Sequence, residues 1–480
     1  MNTFSRRDVL RLGAGASAAA MLGATGGCEW LFQIIKDRPV RRDVTSLAAN
    51  DPILETYRAA ISAMIALPSS DARNWTRQAS IHNDHCPHGN WFFLPWHRAY
   101  LFYFERICRQ LTGNATFALP YWNWTKSNII PAAFWGASNS MFDANREATS
   151  STTFLAEFVG ASVVEGILEE PNFLLFGSGQ ASGQRDSSAY GSLEGTPHNY
   201  VHGVIGGDMG NYMSPLDPVF WAHHNMIERC WVDWNVNRQH ANTNDTTWSN
   251  FVFGGNFADE HGAPVDIAVN ATFLMPLLSY QYDNYALGVG AGTAHPLQKM
   301  RSRELEKFLR EGAAIKLDFS RRATLAEHAE LAPIGSLERG LRIPAQHLAD
   351  MLPSRADERL FLIVENVESH IGDDVFVRVF VGLDHATAQT PISDPHYAGS
   401  FAFFGGGHGA HAGHRAAHQV DITRVVRGLQ SAGALAAGSS ATIQLVTVPI
   451  EGRKGAAKAL STGAISLGVT LDASNANSRR

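Results

Sequence analysis

Two clusters of histidine, well separated along the chain, constrain its fold more than any other feature. The first holds His82, His85, Cys86 and His88, then His97 within Phe93-Leu94-Pro95-Trp96-His97-Arg98. The second runs from Glu194 through His198, Asn199 and His202 to Asp217-Pro218-Val219-Phe220-Trp221-Ala222-His223-His224. Neutral imidazole is a borderline-soft ligand suited to copper, and six of them can hold two copper ions without protein charge. Each ion then keeps positions open for dioxygen and for a substrate oxygen. A fold that uses these residues together must bring both segments to one point.

Local spacing tells how. His198 and His202 stand four apart, so on a helix they share one face and can grip one metal. Asp217-Pro218 reads as a helix start, Asp as N-cap and Pro in the first turn, which puts His224 in the second turn. Pro95 to Leu111 is aromatic and apolar at helical spacing, with His97 near its start. Helical segments converging on a metal predict a mainly α bundle. A single histidine on an apolar helix is usually a hydrogen-bonded core residue, but ordered clusters of this kind outweigh that reading. His85 and His223, each beside a better candidate, are expected to pack or support.

These motifs resemble the tyrosinases and catechol oxidases, the type 3 copper proteins, from near Asp51 to Tyr280-Gln281-Tyr282. The resemblance implies that His82, His88 and His97 hold one copper and His198, His202 and His224 the other. Glu228 stands where the family usually has Asp, a longer arm that leaves its partner open. The resemblance also implies a thioether between Cys86 and His88, against the plainer reading of Cys86 as a buried thiol. Glu194 and Asn199 would hold a water as base for phenols, whose pKa is near 10. The plainer reading makes Glu194 a loop cap and Asn199 a polar helix residue. Gly203 would leave the entrance open, with Tyr212, Met213 and Phe220 around the site.

Composition fits a large two-domain protein. The chain has 480 residues, 45% of them hydrophobic, enough for a sizeable core. A net charge of −6 gives no sign of nucleic-acid binding. The four cysteines make no disulfide framework, and Cys108 and Cys230 read as buried thiols. Residues 1–35 carry Ser5-Arg6-Arg7-Asp8-Val9-Leu10 before an Ala/Gly-rich apolar run, a twin-arginine export signal that predicts a periplasmic or extracellular protein. Membrane attachment is expected only if Cys28 is lipidated.

The copper domain is expected over 40–290, a linker over 291–355, and a C-terminal β-sandwich over 356–480. The last resembles the C-terminal domain of plant polyphenol oxidases, most clearly at Tyr397-Ala398-Gly399-Ser400-Phe401. That resemblance implies a cover over the copper site and hence a latent zymogen, with Phe401, Phe403, Phe404 or Tyr397 as the inserted residue. His408, His411, His414 and His418 follow, either a transient copper-loading tract or a solvated loop. The combined expectation is an exported copper enzyme that uses dioxygen to oxidise o-diphenols, and to hydroxylate monophenols, to o-quinones. A reversible dioxygen carrier resembling hemocyanin, or a copper-storage protein, are the alternatives.

Overall fold

Two helices that are buried on nearly every side, Phe93–Thr112 and Val219–Val232, set the plan of the N-terminal region. The computed structural model describes residues 38–288, 315, 317–332, 335–336, 340–368, 374–405, 416–435, 440–453 and 459–471. The twin-arginine segment, Cys28, His408, His411 and His414 lie outside them. Helix α1 (Pro52–Ala66) starts on Asp51, whose side chain accepts from the Ile53 amide, and buries Leu54, Tyr57, Ile61 and Met64. Helix α2 (Trp75–His85) is capped by Asn74 and buries Trp75, Gln78, Ala79 and His82 along one stripe. Helix α3 (Phe93–Thr112) is buried from Phe93 to Glu105 and stops at Gly113 in the left-handed region, φ 70°. Helix α4 is short (Asn199–Ile205), and every residue of α5 (Val219–Val232) is buried. No helix among the described residues is long and apolar enough to cross a membrane.

Buried charges between the central helices are paired. Arg98 on α3 reaches both oxygens of Glu228 on α5 at 2.9 Å, and its guanidinium lies 3.4 Å from the Trp231 ring centre. Tyr280 donates to the same carboxylate. The longer arm of Glu228 thus finds Arg98 and Tyr280 as its partners. Removing one member of such a pair strands the other in the core, a loss of about 3–5 kcal/mol.

The C-terminal region is two packed sheets. Strand β1 (Ala189–Tyr190) comes from the helical region. The others are β2 (Arg321–Ala326), β3 (Glu358–Val364), β4 (Val375–Val381), β5 (Tyr397–Phe401), β6 (Ala417–Asp421), β7 (Ala441–Pro449) and β8 (Ile465–Leu471). One sheet runs β1-β6-β3-β8-β2, and the other runs β5-β4-β7 and ends on the short strand Gly335–Ser336. The period-2 alternation explains why these strands are apolar on both sides. In β4, Val375, Val377, Val379 and Val381 enter the sandwich core, while Phe376 and Phe380 join the helical core. In β3, Leu360, Leu362 and Val364 face the sandwich, and Phe361 and Ile363 pack on Leu175.

Two expectations need correction. After β1 the chain re-enters the sandwich at Arg321, inside the stretch read as linker. β2 is an edge strand with two leading arginines, and charge on an edge hides the strand pattern. His418 is no member of a solvated tract. It sits on β6, 3% exposed, its ring stacked 4.2 Å from Phe401 and 4.8 Å from Tyr190. Burial there lowers its pKa to about 3.

Three arginines of the strand region are ion-paired with glutamates of the helical region. Arg359 meets Glu170 at 2.7 Å and Arg378 meets Glu157 at 2.6 Å, and Arg453 contacts Glu147. Glu157, 2% exposed in its side chain, also accepts from Ser400 at 2.6 Å and Tyr397 at 3.3 Å.

Candidate metal centre

The fold brings all six singled-out imidazoles to one buried point. His82 closes the buried face of α2, His88 lies in the loop before α3, and His97 is in the first turns of α3. Their ring centres form a nearly equilateral triangle of 5.4, 5.4 and 5.5 Å. His198 ends a π-helical turn, Glu194–His198, that contains Pro197; such wide turns recur at functional sites. His198, His202 and His224 form a second triangle of 4.6, 4.9 and 5.3 Å. The triangles join where His97 stacks on His224 at 4.4 Å and where His88 faces His198 at 5.4 Å.

Hydrogen bonds assign the ring protons. A carbonyl only accepts, so a ring nitrogen bonded to one carries the proton and leaves the other nitrogen a lone pair. His82 donates from Nδ1 to the Tyr212 carbonyl at 2.8 Å, His97 to Phe93 at 2.8 Å, and His202 to Met209 at 2.7 Å. His198 donates from Nδ1 to Asn199 Oδ1 at 2.9 Å. The Nε2 atoms of His88, His97 and His198 are buried with no hydrogen-bond partner among the described residues. Burial and neighbouring histidines lower the pKa of His88, His198 and His224, and burial takes His97 and His202 to about 3. Neutral rings with tethered Nδ1 and inward Nε2 are what a cationic metal requires.

His223 and His224 both approach the centre. Donor atoms of His198, His202 and His223 lie within 4.8 Å of one another, as do those of His82, His97 and His224. Trp124 separates the two. Its indole N–H can only donate, and it donates to His223 Nδ1 at 3.3 Å, so the proton of neutral His223 sits on Nε2. In His224 the Nδ1 has no hydrogen-bond partner among the described residues, and its Nε2 is 3.1 Å from that of His202. His85 is half-buried at the end of α2, outside both groups.

Glu194 is fully buried. One carboxylate oxygen accepts from the Gly89 amide at 2.8 Å and the other from the Ser178 hydroxyl at 2.5 Å. Burial raises its pKa to about 8, although both hydrogen bonds oppose the rise. A carboxylate oxygen lies within 4.8 Å of ligand nitrogens of His88 and His198. Asn199 holds His198 through Oδ1 and donates through Nδ2 to the Ala402 carbonyl at 3.1 Å. Cys86 Sγ is 3.5 Å from His88 Nδ1, and the thiol is buried, as are Cys108 and Cys230.

The strand region reaches the centre through Phe404. Its ring lies 4.4 Å from His202, 4.7 Å from His88, 5.2 Å from Tyr212 and 5.7 Å from His198. Of the four aromatics singled out, Phe404 alone is over the histidines. Phe401 turns into the sandwich core, Phe403 packs edge-on to His418, and Tyr397 bonds Glu157. Gly203 does not face an open entrance. A side chain there would meet the Phe403 carbonyl at 3.6 Å and Ile450 at 3.7 Å. Phe220 lies tilted against His224 at 4.1 Å, Tyr212 is buried beside His88 at 5.5 Å, and Met213 is half-buried. Sequence reading missed Trp124 and Glu157, because each acts through a partner far away in the chain, and Ser178, whose partner Glu194 is met only through the folded turn.

Comparisons agree with this geometry. The common central domain of tyrosinase matches residues 72–175 and 152–237, and a domain of unknown function (DUF7868) matches 324–467. Tyrosinase HcTyr1 of Hahella sp. (strain CCB-MM4) is 31% identical over 282 residues, 50% of this chain and 58% of that one. The latent form of the chloroplastic polyphenol oxidase of Prunus armeniaca is 27% identical over 411 residues, 76% of this chain and 66% of that one. The chain thus spans less than two thirds of the length of these relatives. A recombinantly expressed latent aurone synthase (polyphenol oxidase) shares the fold, with a TM-score of 0.65 at 22% identity, covering 91% of this chain and 90% of that one. The chain belongs to the tyrosinase and polyphenol oxidase family of type 3 dicopper proteins.

Proposed function

We propose that this protein is a copper-dependent phenol oxidase that uses dioxygen to convert o-diphenols, and monophenols after hydroxylation, to o-quinones. The observation that carries the reading is the pair of imidazole triangles, four of whose six rings are tethered through Nδ1 and so leave Nε2 a lone pair. His82, His88 and His97 would hold one copper, and His198, His202 and His224 the other. Two coppers there supply dioxygen binding and the two-electron oxidation of the ring. Trp124 fixes His223 in the tautomer that cannot ligate through Nε2, which supports a supporting role for that residue.

The protein's own residues would handle the proton. A phenol oxygen binds a metal well only after deprotonation, and a buried carboxyl with a pKa of about 8 is a better acceptor than an ordinary one. Glu194 would take that proton, directly or through a water. Asn199 would keep the His198 ring oriented. A thioether between Cys86 and His88 is the further expectation, and the placing of Sγ against the His88 ring, 3.5 Å from Nδ1, supports it; the intact protein then weighs two hydrogens less than its sequence. Export by the twin-arginine route would deliver the folded, metal-loaded protein without disulfides.

Full-length protein would be latent. Phe404 is an aromatic ring where a phenol ring would sit, and tethering gives it a high effective concentration. The same closure favours a second reading, a reversible carrier of dioxygen. One experiment tests both: load copper, measure metal per chain, and assay oxygen uptake with a catechol before and after limited proteolysis. Two coppers with catechol turnover that rises on cleavage are expected. Two coppers and reversible oxygen binding without turnover in either state would establish the carrier instead.

A further inference from the structure

Ser178 is a fully buried, non-glycine residue with φ at 86°. L-residues rarely adopt that conformation, and where they do the surroundings compel it, often at functional sites. Glycines flank Ser178 on both sides, yet the strained position itself carries a side chain. Its hydroxyl accepts from the Gly191 amide at 2.9 Å and donates to Glu194 at 2.5 Å. The segment carrying Glu194 is pressed onto this turn: a side chain at Gly191 would stand 2.3 Å from the Ser178 nitrogen. The last torsion of a glutamate is broad and roughly two-fold, so one hydrogen bond leaves its carboxylate free to swing. Gly89 holds one oxygen, beside His88, and Ser178 holds the other.

We propose that Ser178 is a positioning residue for Glu194. It keeps the carboxylate turned toward the space between His88 and His198, and the strained backbone is what places its hydroxyl there. The inference rests on the reading of Glu194 as the phenol's proton acceptor. Glycine would relieve the strain but supply no hydroxyl, and alanine would do neither. That contrast makes the idea testable.

The test uses the copper-loaded chain, uncovered by Phe404→Ala, carrying Ser178→Gly, Ser178→Ala or Glu194→Gln. Metal per chain, melting temperature and the ratio of monophenol hydroxylation to catechol oxidation are measured. Both Ser178 variants are expected to keep two coppers and to lower the ratio about tenfold, since the ratio reports the positioned base. Ser178→Gly is expected to melt above Ser178→Ala, because only glycine fits the backbone. A ratio that falls in the alanine variant but not the glycine variant would overturn the proposal in favour of strain alone. An unchanged ratio in both, with Glu194→Gln lowering it, overturns the role of Ser178 and leaves that of Glu194. An unchanged ratio with Glu194→Gln, or no monophenol hydroxylation in the uncovered chain, rejects the reading of Glu194 and this inference with it.

Discussion

In the helical region three of the imidazoles are held by short local tethers, Phe93 to His97, Met209 to His202 and Asn199 to His198. What the strand region brings to the same place is the Phe404 ring, backed by arginines that grip Glu147, Glu157 and Glu170. One region presents lone pairs and the other presents hydrocarbon. The rings are therefore oriented from within the helical region, mostly by contacts a turn or two away and for His82 by the Tyr212 carbonyl, whereas the cover over them is held by contacts between residues hundreds of positions apart. The two properties should respond to different mutations.

The largest effect expected is at the ligands. His202→Ala should lower copper from two to one per chain and abolish catechol oxidation, while His223→Ala and His85→Ala keep both ions. Metal analysis after gel filtration checks this, and a fully loaded His202→Ala would break the division of roles at its root. Next, Glu194→Gln should cut monophenol hydroxylation about a hundredfold, with a much smaller loss on catechol. Equal losses would make Glu194 a structural residue of the π-helical turn.

Phe404→Ala should raise catechol turnover of the full-length chain about tenfold, with copper unchanged, because a tethered competitor is gone. A fall in copper content would mean that the strand region also maintains the ligands. Glu157→Gln weakens the hub that receives Arg378, Ser400 and Tyr397, and a rise of about a few-fold is expected, below that of Phe404→Ala because the cover is loosened and not removed. If steady-state rates match the parent, the glutamate pairs are not what holds the cover.

The smallest effect concerns pH. Burial holds the His418 pKa at about 3, against an ordinary value near 6.5. A histidine lowered on folding binds more protons when released, so its contribution is complete above about pH 6.5 and declines as pH falls toward 3. Phe401, Phe403, Tyr190 and the Gly195 backbone surround it, and Glu194 is the carboxyl that acts on Tyr190. Acid should loosen the seam in the parent and less so in His418→Gln, read as protease susceptibility against pH.

The histidines that the fold brings together were legible because metal binding requires particular residue types at short spacings, and those survive in one dimension. So were the helix starts: Asp217 caps α5 through the Val219 amide at 2.9 Å, as its Asp-Pro step suggests. The choice of Phe404 among four aromatics was not legible. After β5 the alternation breaks down, so neither period 2 nor period 3.6 says which ring faces the histidines. Ser178 was invisible for a related reason, since a positive φ on a serine follows from what presses on it. Edge strand β2 was hidden by its charge.

Strand β1 gives the fold an order in time. Ala189 and Tyr190 pair in parallel with Ala417 and His418, so two residues beside the copper-binding segments complete a sheet whose other strands are made last. A ribosome releases the helical region first, with this edge and the Phe376-binding surface of Phe158 and Tyr200 still bare. During that interval the histidines stand without Phe404 above them, and closure must wait for the long loop between residues 190 and 417 to be brought together. Copper offered during synthesis and copper offered afterwards therefore meet two different molecules.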